Sequence, residues 1–264
     1  MSPEEAWRRL AALTPARIGL GRAGSGLPTR EVLRFALAHA QARDAVHAAL
    51  DGGSLQAGLA GLGLPAVAVA SAAPDRATYL RRPDLGRRLD AASLERLRGA
   101  AHMPVDLAPV DLALVVADGL SARAVHEGAV PLLAALAPAI AASGWSLAPV
   151  VIAEQARVAL GDEIGAALRA RAVAVLIGER PGLSSPDSLG VYLTFAPRPG
   201  RTDAERNCLS NVRQAGLRPD LAAFKLHWLL TQAFARGLTG VALKDESDRL
   251  LPAEPDPAAL DAPR

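Results

Sequence analysis

Apolar positions follow two rhythms along this chain, and the switch between them predicts its architecture. Residues 2–13 have a helical rhythm, with Ser2 and Pro3 supplying a cap and first turn and Glu4 and Glu5 near the positive end of the dipole. Thr29 opens a longer helix to about Leu50, in which Val32, Leu33, Ala36, Leu37 and Ala40 make an apolar stripe; Asp51-Gly-Gly-Ser stops it. A strand is expected at Ala66–Ala70 and a helix over 91–100. From Asp111 onward, short apolar runs alternate with helical periods. They predict a strand over 111–117, a turn at Asp118-Gly-Leu-Ser with Ser121 as N-cap, and a helix over 122–140. A strand near 147–153, a helix near 161–171, and strands at 173–177 and 191–196 follow. Asp203 to Gly216 reads as a helix carrying Cys208, Pro219 turns the chain, and 220–236 is a last amphipathic helix before a proline-broken end.

This alternation predicts an α/β fold, a doubly wound, mainly parallel sheet with an N-terminal helical region. The expected division is a helical region over 1–105, a Rossmann-like domain over 106–250 and a flexible tail over 251–264. The 264 residues suffice for a full core, and 50% of them are hydrophobic against only 3% aromatic, so Ala, Leu and Val must build it. The net charge is +2 and lysine occurs only at Lys225 and Lys244, with no basic block long enough to track a nucleic-acid backbone. Cys208, the single cysteine, forms no internal disulfide, and neither a signal peptide nor an uninterrupted apolar run of about 20 residues stands out. A soluble, cytosolic protein is expected.

The run Val173-Ala-Val-Leu-Ile ends abruptly at Gly178-Glu-Arg-Pro-Gly182, which reads as a buried strand stopped by Pro181 and Gly182. Ligands of open parallel sheets sit beyond the strand C-termini, so Glu179 and Arg180 are placed for binding. Glu179 either pairs with a distant arginine or meets a ligand rich in N–H groups. Gly19-Leu-Gly-Arg-Ala-Gly24 matches a dinucleotide fingerprint, but it lacks the strand before it and the acidic residue after it that such a site needs. Arg81, Arg82, Arg87 and Arg88 could hold a phosphate; a subunit interface is the favoured reading. The five histidines show no metal-ligand spacing, no nucleophile elbow is present, and Cys208 reads as a contact or packing residue.

Six segments occur in one order: Arg17-Ile-Gly-Leu-Gly-Arg-Ala-Gly, Leu33-Arg-Phe-Ala-Leu-Ala-His-Ala-Gln-Ala-Arg-Asp-Ala-Val46, Tyr79-Leu-Arg-Arg-Pro-Asp-Leu-Gly-Arg-Arg-Leu89, Asp118-Gly-Leu-Ser121, Gly178-Glu-Arg-Pro-Gly182 and Cys208-Leu-Ser-Asn-Val212. Together, from about Arg17 to Gly240, they resemble the small subunit of ethanolamine ammonia-lyase. The resemblance implies an adenosylcobalamin-dependent lyase converting ethanolamine to acetaldehyde and ammonia. A separate, larger, barrel-type subunit would carry the substrate pocket and the radical chemistry, in a hetero-oligomer of several large–small pairs. This chain would have no catalytic residue or metal ligand of its own and would form one wall of the corrin site through Val158, Glu179 and Cys208. Cobalamin is rimmed with amides whose N–H groups need acceptors, which suits an ionised Glu179. The motif Asp-x-His-x-x-Gly is absent, which implies that cobalamin keeps its own base on cobalt. The chain begins without the extra N-terminal stretch expected of such subunits, which leaves packaging into a bacterial microcompartment open.

Overall fold

A computed structural model describes residues 2–14, 16–100 and 109–250 of the chain. Ser2 accepts from the Glu5 N–H while Glu5 reaches back to the Ser2 N–H, and this capping box starts α1 (Pro3–Ala12). Helix α2 (Thr29–His47) begins after Pro28 with no side-chain cap and stops three residues before the expected end. Helix α3 (Gly52–Gly61) is capped by Asp51, and β1 (Ala66–Ala70) follows it. Two short helices, α4 (Arg76–Arg81) and a 3-10 turn at Leu85–Arg87, lead to α5 (Ala91–Ala100).

The remaining elements come largely where the apolar runs place them: β2 (Leu112–Ala117), α6 (Ala122–Ala142) capped by Ser121, β3 (Val150–Glu154), α7 (Leu160–Ala167) and β4 (Ala172–Gly178). Then come β5 (Leu189–Phe195), β6 (Arg206–Val212) and α8 (Pro219–Arg236), which ends on Gly237 in the left-handed conformation. All six strands form one sheet in the order β1-β3-β2-β4-β5-β6. The first four are mutually parallel, whereas β5 runs antiparallel to β4 and to β6. The fold is thus α/β with a mixed, mostly parallel sheet and N-terminal helices. The expected tail, 251–264, lies outside the described residues.

Strand β2 is buried along its whole length, because its two faces serve two cores. Leu112, Leu114 and Val116 meet α3, α6 and α8 on one side. Ala113, Val115 and Ala117 meet Leu97 of α5 and Leu160 and Ile164 of α7 on the other. Helix α6 is long and apolar enough to cross a membrane by length and composition, yet its Leu132, Leu133 and Leu136 are fully packed in the first of these cores. Two buried cations, Arg206 and Lys225, fasten elements at this end of the sheet. Arg206 on β6 makes a bidentate pair with Asp162 on α7, both bonds 2.7 Å, and also donates to Thr194. Lys225 on α8 holds Asp245 and Asp248 of the segment that follows the helix.

Two sequence expectations change. The segment carrying Cys208 is a strand, not a helix: Thr202 and Glu205 do form a capping box, but it closes only a 3-10 turn at Asp203–Glu205 before β6 begins. The stripe on α2 does not enter the core either, since Val32, Leu33 and Leu37 are exposed while Glu31 and Ala45 are buried. With Trp7, Leu10, Leu13, Leu27 and Phe35 also exposed, the N-terminal segment carries an apolar surface that no described residue covers.

Candidate functional site

The C-terminal ends of β2, β3 and β4 open onto a cleft of about 440 Å³. It lies where the order of strands leaves a crevice, the usual ligand position in open α/β sheets. Its floor is main chain. Gly119, with φ of +54°, comes so near the end of β4 that an added Cβ would lie 2.2 Å from the Gly178 carbonyl oxygen. A Cβ on Gly178 would in turn lie 2.1 Å from the Ser121 carbonyl oxygen. These two glycines let the turn after β2 close against β4, where the Leu120 N–H donates to the Gly178 carbonyl at 2.8 Å.

Beneath the floor, Asp118 accepts from the N–H groups of Gln155 and Ala156, each at 3.0 Å, joining the ends of β2 and β3. Burial pushes its carboxyl above the ordinary range, against those hydrogen bonds and the nearby Arg76 charge. Arg76 donates to Asp118 at 3.2 Å, to the Gly119 carbonyl at 2.8 Å and to the Val46 carbonyl in the last turn of α2 at 2.7 Å. One wall is Tyr79, which is fully buried and donates to the Ala156 carbonyl; Arg157 lies over its ring, 4.2 Å from the centroid. Burial pushes the Tyr79 phenol up to about 12.

Glu179 follows β4 directly and is half-buried at the rim. Its oxygens accept from Ser188 Oγ at 2.5 Å, Ser210 Oγ at 2.7 Å and the Asn211 N–H at 3.2 Å. No arginine partners it among the described residues, so of the two readings open in the sequence the distant ion pair is not the arrangement found. Held by three donors, one just before β5 and two in β6, the carboxylate is oriented and retains acceptor capacity, since two carboxylate oxygens offer about four sites. Arg180 lines the same cleft, and Val158 lines it from the loop after β3.

Cys208 lies across from Tyr192 in the β5–β6 register. Tyr192 in turn lines the cleft. Desolvation, then the Glu179 charge, push the Cys208 thiol up, with Tyr192 opposing them; burial raises Tyr192 as well. Val158 and Glu179, distant in sequence, line one crevice, whereas Cys208 does not line it and stands beside Tyr192, which does. Ser188, Ser210 and Asn211, which hold Glu179, escaped the sequence reading, as did the wall made by Tyr79 and Arg157. A tyrosine beside an arginine-rich segment, in a chain with only two tyrosines, was the available signal.

The glycine segment has no dinucleotide geometry: Gly19, Gly21 and Gly24 all have positive φ, Gly19 packs on Trp7, and no described strand precedes them. Arg17 reaches instead toward the Leu183 carbonyl in the loop after β4, at 3.3 Å. Among the described residues no group of His, Cys, Asp and Glu could hold a metal ion.

Fold and cleft together define an α/β protein with a crevice at its strand ends, lined in part by hydrogen-bonding side chains. The family profile for the ethanolamine ammonia-lyase light chain (EutC) matches residues 4–244. The ethanolamine ammonia-lyase small subunit of Xanthomonas campestris pv. campestris is 59% identical over 262 residues, covering 99% of this chain and 95% of the relative. The small subunit of Bradyrhizobium diazoefficiens is 59% identical over 239 residues, 90% of each chain, and that of Pseudomonas aeruginosa 56% identical over 247 residues, 94% and 90%. The chain belongs to the ethanolamine ammonia-lyase small-subunit family.

Proposed function

We propose that this chain forms one wall of an adenosylcobalamin site and that a large subunit, to which the family ties it, completes that site and carries out the lyase reaction on ethanolamine. The meeting of Val158 and Glu179 in one crevice, with Cys208 paired to the lining residue Tyr192, carries the reading. The residues present suit the cofactor's amide-rimmed periphery: a carboxylate acceptor fixed by Ser188, Ser210 and the Asn211 N–H, a guanidinium donor at Arg180, and an apolar contact at Val158.

Bound adenosylcobalamin supplies the radical that begins the reaction. What this chain does is bind and exclude. Glu179 accepts amide N–H groups, Val158 and Ile177 present apolar surface, and Tyr192 with Cys208 closes the side toward β6. Tyr79 stays protonated far above neutral pH, so its bond to Ala156 holds the Val158 loop in place whatever the titration state of the surroundings. The cytosol, inside a microcompartment or free, is the proposed location, and several large–small pairs the proposed assembly.

The test is the complex of this chain with its large subunit, assayed for adenosylcobalamin by equilibrium dialysis. Glu179→Gln keeps the shape but replaces one acceptor oxygen with a donor, and each lost charge-assisted bond is worth roughly 1.5–3 kcal/mol, a weakening of about ten- to a hundredfold. Unchanged affinity in Glu179→Gln, or ethanolamine turnover by the isolated chain, would refute the proposed role.

A further inference from the structure

A second, larger cleft of about 640 Å³ adjoins the first, sharing Arg157 and Val158 as a common wall. Its chemistry differs: five guanidiniums line it against three carboxylates. The carboxylates are occupied. Asp162 is tied to Arg206 by two bonds of 2.7 Å, Glu163 accepts the Leu89 N–H at 2.7 Å, and Asp203 stands 3.5 Å from Arg206. Two of the arginines are occupied too, Arg206 by Asp162 and Arg201 by Glu205. Arg157 is pinned on the Tyr79 ring with its guanidinium donating to the Tyr79 carbonyl at 3.3 Å, while its main-chain N–H donates to the Gly86 carbonyl at 2.8 Å.

That leaves Arg87 and Arg88, both exposed at the mouth, with no hydrogen bond or ion pair from either guanidinium among the described residues. Gly86 puts them there: a Cβ on it would lie 3.0 Å from both Arg157 Cγ and the Tyr79 ring, so a glycine lets the 85–88 turn settle against this wall without crowding it. Unspent forked donors beside paired acids are a receptor for a tetrahedral oxyanion, which arginine binds through two parallel N–H bonds.

We infer that Arg87 and Arg88 seat a phosphodiester, the one anionic group of a cobalamin, while the Glu179 cleft takes its neutral amides. This rests on the cobalamin reading and assigns the two adjoining clefts to two chemically different parts of one molecule: the corrin rim and the nucleotide arm that carries the phosphate.

The experiment compares adenosylcobalamin with adenosylcobinamide, which lacks the phosphodiester, ribose and base, on the assembled large–small complex. Binding is read by equilibrium dialysis and by the visible spectrum of the retained corrinoid. In Arg87→Gln/Arg88→Gln the cobalamin affinity falls about ten- to a hundredfold and the cobinamide affinity stays that of the parent. Equal loss for both corrinoids, no loss for either, or dissociation of the subunits on size-exclusion chromatography overturns the assignment; dissociation would make the two arginines an interface instead. A parent complex that retains neither corrinoid sinks the cobalamin reading itself, whereas retention that is insensitive to the double variant sinks only the phosphate seat. Both side chains are exposed, so an unchanged melting temperature confirms that the variant is folded.

Discussion

Replacing Gly119 with alanine tests how tightly the cleft floor is built. The added methyl would sit 2.2 Å from the Gly178 carbonyl oxygen and 2.5 Å from Ile177 Cγ1, in a residue whose φ is +54°. The left-handed backbone costs an alanine about 1–2 kcal/mol. Overpacking costs about 1–3 kcal/mol more, because the contacts are with main chain and a buried strand that cannot swing away. A total of about 2–5 kcal/mol follows, and for a chain of this size each kcal/mol moves the melting temperature by about 2–4 °C, giving a drop of roughly 5–20 °C. Gly144 is the control. It has φ of +67° but open space around its Cβ position, so Gly144→Ala carries only the backbone cost, a drop of about 2–8 °C. Thermal unfolding of both variants by circular dichroism separates steric from conformational strain. The reasoning fails if Gly119→Ala loses no more stability than Gly144→Ala.

Two further outcomes are expected. Arg206→Met leaves Asp162 charged and buried, which costs about 3–5 kcal/mol in urea unfolding, whereas Arg206→Met/Asp162→Leu recovers most of that loss; equal damage in both would count against the pair as the cause. Both tyrosines of the chain have phenols raised by burial, Tyr79 to about 12, so ultraviolet titration of the folded protein shows no phenolate near pH 10, where free tyrosine ionises. A raised pKa in the folded state means stability present below about pH 10 and lost as pH climbs toward 12; phenolate absorbance at pH 10 in the folded chain would contradict the burial.

The parallel core was plain in the sequence because strands buried on both faces need continuous apolar runs, and 112–117 and 172–178 supply them with sharp ends at Asp118 and Glu179. Glu179 was legible for the same reason. Strand β6 was not: buried Arg206, Leu209 and Val212 recur at every third residue, a register shift interrupts the pairing with β5 near Leu189 and Val191, and the Thr202–Glu205 capping box mimics a helix start. The stripe on α2 has true helical periodicity, but periodicity says only that one face is apolar and not that this chain covers it. The donors that orient Glu179 come from two stretches apart from it in sequence, around Ser188 and at Ser210–Asn211, and no local pattern announces such a convergence.

Arg76 gives the cleft and the bare N-terminal surface a shared mechanical element. One guanidinium braces the Gly119 carbonyl under the crevice and grips the Val46 carbonyl in the last turn of the helix whose apolar stripe lies open. Any load that tilts that helix therefore reaches the floor of the crevice through this side chain.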